Sequence, residues 1–528
     1  MKLFILLITL ALFSPVVNGA KILGLFGFSS QSHNNVFTAL TKELAVRGHE
    51  LTVVTPYPLK DPPGKYRQIE TAEIRDIVKK TDNMTTLNMF QRFSFMTNIL
   101  FNTCSQVLQH PELKPLLNEH FDLILFSIAI NDCMIPFAYR LKAPFITMSP
   151  AGLISFTSSK MGNPEPSSFV PNLFLPYSDH MTFWERSVNF LFTLFVQLMR
   201  DFFYIPKMNK VAKDFFGNDI PSIEEIEINA SLSLINNHVS LNYPRPLNPN
   251  IIEVGGMHIK QTPDPLPKDI QGFLDGANDG AIYFSMGSML RGDKLPPEKV
   301  HEILQAFSQL KQRVLWKWES DVLPGQPSNV KLGKWLPQQS ILAHPNVRLF
   351  VTHGGLLSTQ ESLFHGVPIV GIPIFGDQHL NMRRSEELGY ALTIEFSTIS
   401  KDTFRNALQT VLTNSSFSEM AQRLKKRIRD QPETPLERAV FWTEYVLRHE
   451  GAHHLRSAAT RLYWFQYHML DFAAFVLLLT LLPVLVIRAG LLRKIHSTIY
   501  STSPKVVKSL GDDKVNKKSK QDKKQKKL

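Results

Sequence analysis

The chain has 528 residues, too many for one ordinary domain, and its 44% hydrophobic and 20% charged residues describe a globular protein, not a disordered one. Two cysteines exclude a disulfide scaffold and any cysteine-rich zinc module. The net charge of +12 does not mark a nucleic-acid binder: Arg493–Leu528 alone carries +9 (twelve Lys and Arg against three Asp), leaving about +3 on the rest.

Met1-Lys2, the apolar run Leu3–Phe13 and the small-residue site Val17-Asn18-Gly19 have the three parts of a secretory signal peptide, residues 1–19, cleaved after Gly19. Lys21–Phe28 (KILGLFGF) is continuously apolar and reads as a buried parallel strand. Val36, Leu40 and Leu44 recur at helical spacing, Gly48 stops the helix, and His49–Thr55 reads as the next strand. Gly24 and Gly27 do not form the dinucleotide fingerprint, so no NAD site is expected. Phe121–Phe126 and Pro144–Met148 read as later strands of the same sheet. Phe183–Tyr204 is rich in Phe and Leu but interrupted by Glu185, Arg186, Gln197, Arg200 and Asp201, so it reads as a helical insert and not a span. Its aromatic face is expected in the core. A lipophilic substrate wall and a membrane-skimming patch are the rival readings.

Prolines cluster without periodicity in Asn242–Gly256, which reads as the link between domains. The expected domains are 20–243 and 265–450, joined by residues 244–264. In the second, Ala281–Ser285, Arg313–Trp318, Val347–Val351 and Pro368–Ile374 read as strands, Pro297–Leu310 as a helix, and further helices start near Leu356, His379 and Lys401. The fold class is α/β, with ligands expected at the carboxyl ends of the strands in a cleft between two doubly wound domains.

The segment Trp335–Gln378 carries the chemistry. A strand runs into Thr352-His353-Gly354-Gly355 and then a helix, whose free N–H groups and positive dipole end suit a phosphate. His353 adds a donor. Glu361 lies about two turns along and can accept a ribose hydroxyl. Asp377-Gln378 offers partners for sugar hydroxyls, and Trp335 a flat face for a base.

Leu470–Ile487 is apolar apart from Asp471 and Thr480, and Ala489–Leu492 extends it, giving an expected membrane helix over 470–492. Arg488, Arg493 and Lys494 follow it, and Tyr463, Trp464 and Tyr467 precede it. That asymmetry predicts a single-pass type I protein with a luminal body and a cytosolic lysine-rich tail, 493–528. Lys524 and Lys526 resemble the di-lysine address of endoplasmic-reticulum proteins. The sequons Asn83, Asn229 and Asn414 all fall on the luminal side as candidate glycosylation sites. Whether Cys104 pairs with Cys133 is not decided by the sequence.

Trp335–Gln378 closely resembles the signature of the UDP-glycosyltransferase family, the membrane-bound UDP-glucuronosyltransferase type of animals, insect-like in character. Ser32-His33, the Ser285-Met286-Gly287-Ser288 turn, Val254-Gly255-Gly256 and the span with its lysine tail extend the likeness along nearly the whole chain. The resemblance implies the GT-B architecture: two facing Rossmann-like domains, the first holding the acceptor and the second the UDP-sugar, plus the C-terminal transmembrane helix. It implies a detoxification-type transferase moving glucose or glucuronate from UDP-glucose or UDP-glucuronate to hydroxyls of small lipophilic acceptors. The reaction would invert the anomeric centre and use neither metal nor cofactor, UDP-sugar being a co-substrate. Trp335 and Gln338 would hold uracil, Glu361 the ribose, Ser285, Gly287, His353 and Gly355 the phosphates, and Asp377 and Gln378 the sugar. His33 would be the general base, its neutral imidazole taking the acceptor proton.

Two positions depart from the family pattern. Leu357 stands where many members carry an Asn near the phosphates. Ser127 stands where the family carries the acid that supports the base, and Asp132, five residues on, is the other candidate for that charge. A weakly active or inactive relative that binds UDP-sugar or lipophiles is therefore the second reading. A single-pass receptor is the third and leaves the donor residues unexplained. Self-association into a homo-oligomer stays open, as does the choice of donor.

Overall fold

The computed structural model describes residues 19–75, 89–128, 131–288 and 290–501. Residues 1–18 of the expected signal peptide 1–19, the Asn83 sequon and the tail from residue 502 lie outside the described residues. The chain divides into a body ending at Thr460 and a C-terminal unit beginning at Arg461.

In the body, short apolar runs become parallel strands because both faces of each are covered. β1 (Lys21–Leu25), β2 (Glu50–Thr55), β3 (Tyr66–Glu70), β4 (Leu123–Ser127), β5 (Phe145–Ser149), β6 (Leu232–Ile235) and β7 (Ile251–Glu253) form one sheet, ordered β3-β2-β1-β4-β5-β6-β7. Alternation along β1 sends Leu23 and Leu25 into one apolar cluster and Ile22 into the other. β8 (Ala281–Ser285), β9 (Arg313–Lys317), β10 (Val330–Gly333), β11 (Val347–Thr352), β12 (Ile369–Gly371) and β13 (Ala391–Thr393) form the second sheet, ordered β10-β9-β8-β11-β12-β13. In both sheets the chain reverses its direction of travel beside the first strand, between β1 and β4 and between β8 and β11. Those reversals open crevices at the strands' carboxyl ends.

The proline-rich link contains a strand: β7 pairs with β6 inside the segment read as irregular. Only Ile251 and Ile252 supply its buried positions, too short a run to stand out among prolines.

α1 (Gln31–Val46) begins at Ser30, whose hydroxyl accepts the His33 amide at 3.3 Å, and buries Val36, Leu40 and Leu44. α2 (Met89–Leu108) carries Cys104, which is disulfide-bonded to Cys133 across a Cα separation of 6.1 Å. α3 (Phe183–Met199) starts at a reciprocal cap between Thr182 and Glu185, passes through a π-helical turn at Arg200–Tyr204, and continues as α4 (Ile205–Phe216). The aromatic face of α3 is not in the core: Trp184 is 75% and Phe190 55% exposed. Its polar side packs instead, so the first expectation for this insert fails. In the second half, α5 (Leu356–His365) follows β11 and α6 (Gln378–Glu387) follows β12. α7 (Pro435–Arg448) returns to the first sheet, where Ala439, Val440 and Val446 join Val36 and Leu40 in one apolar cluster. In the C-terminal unit, α8 (Leu470–Ser501) is a 32-residue helix containing Pro483. At about 1.5 Å per residue it is roughly 48 Å long, enough to cross a bilayer.

Candidate active site

A cleft of about 1020 Å³ lies where the carboxyl ends of β1, β8 and β11 meet, and its walls include His33, Ser285, Gly287, Trp335, Gln338, His353, Gly355, Glu361, Asp377 and Gln378. Ser127 and Asp132 do not line it.

The end expected to take the phosphates is built on missing side chains. β11 delivers His353, and α5 starts directly after Gly355. A Cβ on Gly287 would sit 2.4 Å from His353 Cε1, and one on Gly355 would sit 2.6 Å from His353 Nε2. Gly287 also has φ +81°, a left-handed conformation that L side chains rarely adopt. The imidazole is thus gripped between two glycines from different strand ends. Burial, and then the nearby Lys317 ammonium, push the His353 pKa down to about 4, so the ring is neutral at pH 7. Its Nδ1 lies 3.3 Å from Thr352 Oγ1. Ser285 Oγ accepts the Gly287 amide at 3.2 Å, fixing the turn.

At the end expected to take the ribose, Glu361 is held by neighbouring side chains. Gln338 Nε2 donates to Oε2 at 2.6 Å, and Gln339 Nε2 donates to Oε1 at 3.2 Å. The His258 ring nitrogen lies 3.2 Å from the same Oε1. Gln338 Nε2 also donates to Ser358 at 3.2 Å, and Gln338 Oε1 accepts from Tyr283 at 3.3 Å. Trp335 stands at the rim, 65% exposed. Sequence reasoning missed His258 and Gln339. The doubled glutamine Gln338-Gln339 was the one visible signal for the latter.

At the end expected to take the sugar, burial raises the Asp377 carboxyl above its ordinary value, and Asn381 Nδ2 donates to it at 2.9 Å. Asn381 Nδ2 also donates to the Gly354 carbonyl at 3.1 Å, tying the sugar end to the phosphate turn. Gln378 Oε1 accepts the Ile374 and Phe375 amides at 2.8 and 3.1 Å, which orients its amide group.

His33 stands in the first turn of α1 on the facing wall. Burial pushes its pKa down to about 4, leaving a neutral imidazole. Ser32 beside it accepts from Ser288 Oγ at 3.4 Å, a bond joining the first turn of α1 to the loop after β8 across the cleft. No hydrogen bond among the described residues joins Ser127 or Asp132 to His33. Ser127 closes β4 and is buried. The Asp132 carboxylate accepts from Arg200 Nη2 at 3.2 Å and Tyr204 OH at 2.8 Å, and Arg200 also pairs with Glu227. Between them, Asn131 grips the turn that carries His33: its Oδ1 accepts the Phe28 amide at 2.8 Å and its Nδ2 donates to the Phe28 carbonyl at 3.0 Å. Nothing in the sequence pattern announced Asn131. Asn229 and Asn414 are both exposed.

Solved glycosyltransferases share this architecture. The glycosyltransferase of kitacinnamycin matches 81% of this chain and 99% of its own, with TM-score 0.55 at 18% identity. A UDP-glucosyltransferase from Polygonum tinctorium, capable of glucosylating indoxyl, matches the same shares with TM-score 0.55 at 15% identity. These likenesses define the fold as GT-B. The family description "UDP-glucoronosyl and UDP-glucosyl transferase" matches residues 49–506. UDP-glycosyltransferase UGT5 of Dactylopius coccus is 38% identical over 526 residues, covering 97% of this chain and 100% of its own. Human UDP-glucuronosyltransferase 2B10 is 34% identical over 83% of this chain and 87% of its own. The chain belongs to the UDP-glycosyltransferase family and is an enzyme of that class.

Proposed function

We propose that the enzyme transfers glucose or glucuronate from the UDP-sugar to a hydroxyl of a small lipophilic acceptor, with His33 as general base, inversion at the anomeric carbon and no metal. The observation that carries this reading is the placement of a neutral imidazole, His33, across one cleft from the His353, Glu361 and Asp377-Gln378 set. The acceptor oxygen loses its proton to His33 as it attacks the anomeric carbon. Attack comes from the face opposite UDP, hence inversion. His353 and the amides at the start of α5 receive the charge that builds on the departing diphosphate. Asp377 and Gln378 orient the hexose, and Glu361 with Gln338 fixes the nucleoside, so that the reacting atoms meet at small entropic cost.

A weakly active or inactive relative is the second reading. One observation favours it: no carboxylate is bonded to His33 among the described residues, so the imidazolium formed in the transition state lacks a compensating charge. Release of UDP from UDP-glucose and UDP-glucuronate with a phenolic acceptor separates the readings. Turnover that survives chelator and disappears in His33→Ala supports the first. Binding of UDP-sugar without turnover, with every donor and acceptor, supports the second.

We place the enzyme in the endoplasmic-reticulum membrane with its body luminal and α8 as the span. Protease should remove an epitope after Leu528 in sealed microsomes while the body stays protected. A protected epitope reverses the orientation.

A further inference from the structure

The helix α6 has little apolar surface of its own. Its sequence is QHLNMRRSEE, and only Gln378, Met382 and Ser385 are buried. Those three lie four and three residues apart, so they form one narrow stripe on which the helix rests. Met382 is the bearing of that stripe. A Cβ on Gly354 would start 2.5 Å from its Cγ, and one on Gly371, at the end of β12, would start 2.3 Å from its Sδ. With so small an apolar contact, the placing of α6 falls to the polar bonds at its two ends.

At the first turn, Asn381 holds Asp377 and the Gly354 carbonyl, and Gln378 holds the Ile374 and Phe375 amides. The loop that carries Asp377 therefore travels with the helix. At the last turn the partners come from the start of the proline-rich link. Arg384 Nε donates to the Leu241 carbonyl at 2.9 Å, and its guanidinium lies 4.5 Å from the centre of the Tyr243 ring. Tyr243 OH donates to Glu387 Oε2 at 2.6 Å, and Arg383 Nε donates to Oε1 at 3.0 Å. Tyr243 is buried, so its bond to the carboxylate is shielded from water. The link is fixed in turn to the first-sheet half. Arg245 pairs with Glu165 at 2.7 Å, and Asn248 Nδ2 donates to the Gly162 carbonyl at 2.7 Å. A void of about 40 Å³ beside Leu380, Leu153, Tyr243 and Arg245 leaves the helix room to tilt once this clamp is cut.

We propose that Tyr243, Arg384 and Glu387 are positioning residues for the donor hexose: by fixing the far end of α6 they set where Asp377 and Gln378 stand against the sugar. The proposal rests on the reading of Asp377 and Gln378 as the residues that orient the hexose. The helix spans ten residues, about 15 Å. Met382 lies near its midpoint, so a tilt about that bearing carries a displacement at Glu387 to Gln378 at about the same size. A misplacement of about 1 Å in a positioned group can cost roughly 100-fold, so half of that costs roughly tenfold. None of the three residues lines the cleft, and none takes part in the bonds that hold Glu361. The clamp therefore bears on the sugar and leaves the nucleotide alone.

Titration calorimetry on the solubilised full chain tests this, with UDP, UDP-glucose and UDP-glucuronate as separate ligands. Tyr243→Phe keeps the ring beside Arg384 and removes only the hydroxyl. The expected result is an unchanged Kd for UDP and a Kd for the better-bound UDP-sugar raised about tenfold. Glu387→Ala should reproduce this, and Glu387→Gln, whose amide oxygen still accepts from the phenol, should restore most of the affinity. Tyr243→Phe combined with Glu387→Ala should lose no more than either alone. Equal weakening of UDP and UDP-sugar, or a lower melting temperature with both constants unchanged, makes the clamp a structural support only and overturns the proposal. Asp377→Ala separates this failure from failure of the reading beneath it, since it should weaken the UDP-sugar and spare UDP. If it does so while Tyr243→Phe changes nothing, the clamp is refuted and the sugar assignment stands. If neither variant weakens the UDP-sugar, the sugar assignment falls and the proposal falls with it.

Discussion

Gly287→Ala tests whether the donor site works through the imidazole gripped between two glycines. The new Cβ would start 2.4 Å from His353 Cε1, well inside van der Waals contact, so the ring must move. The backbone at φ +81° adds its own cost, about 1–2 kcal/mol for an L side chain in the left-handed region. The first cost falls on binding and the second on folding. A displaced His353 would lose the hydrogen bond proposed between it and the diphosphate, about 1.5–3 kcal/mol for a bond to a charged group. At about 1.4 kcal/mol per decade, the dissociation constant for UDP should rise roughly ten- to 150-fold. Titration calorimetry with UDP measures it, and thermal unfolding of the nucleotide-free protein measures the stability loss. His353→Ala should weaken UDP by a similar factor. The double variant discriminates, because Gly287→Ala should cost no further affinity once the ring is gone. Additive losses, or an unchanged UDP affinity in Gly287→Ala, would refute the gripping argument.

The acid position yields a paired prediction: Ser127→Asp should raise turnover and His33→Ala should abolish it, and no response to Ser127→Asp counts against the missing-charge explanation. Asp132→Asn removes one of the carboxylates around the buried Arg200, which keeps Glu227 and Asp201, so the loss should fall below the roughly 3–5 kcal/mol of an uncompensated buried charge, and melting should fall while kcat of the folded enzyme holds. Loss of turnover with unchanged melting would instead make Asp132 the partner of His33. Asn131→Ala should lower kcat and leave the KM for UDP-sugar in place, since Asn131 holds the Phe28 turn ahead of His33 from both sides. A change confined to the donor KM would contradict that. Acid should destabilise the nucleotide-free protein: His33, His238, His353 and His365 are each pushed by burial to about 4, against about 6.5 in the unfolded chain. The unfolded state then binds more protons, so their contribution is complete above about pH 6.5 and is lost as pH falls towards 4. Glu227, Glu253 and Asp377, whose pKa values burial raises, work in the opposite sense, three groups against four. A melting temperature that is flat from pH 7 to pH 5 would count against the assignment.

The parts legible in the sequence are those whose cause is local. β1 and β8 are apolar along their buried positions and β11 is interrupted only by the exposed Arg348, and glycines after β8 and β11 shape the turn around His353. Most of the donor wall comes from one contiguous stretch, so its order along the chain was itself a signal. What was hidden depends on distance in sequence. Asn131 acts on Phe28, 103 residues away, and His258 reaches Glu361 from the link between the sheets. The polarity of α3 was hidden for another reason. Periodicity locates an apolar stripe without saying which way it faces, and only the partners of Asn189 and Arg200 show that the polar side is inside.

The return of α7 to the first sheet limits how the enzyme can be cut and recombined. The half of the chain that builds the first sheet, taken alone, ends with the groove over α1 uncovered, since Ala439, Val440 and Val446 fill it from the far end of the body. Exchanging second-sheet halves between relatives at the proline-rich link therefore transplants a piece of the first sheet's core as well. A recombinant that keeps α7 matched to its own α1 preserves that packing. One that joins the halves only at the link carries a foreign helix into it, so donor and acceptor specificity in such hybrids will not separate at a single crossover point.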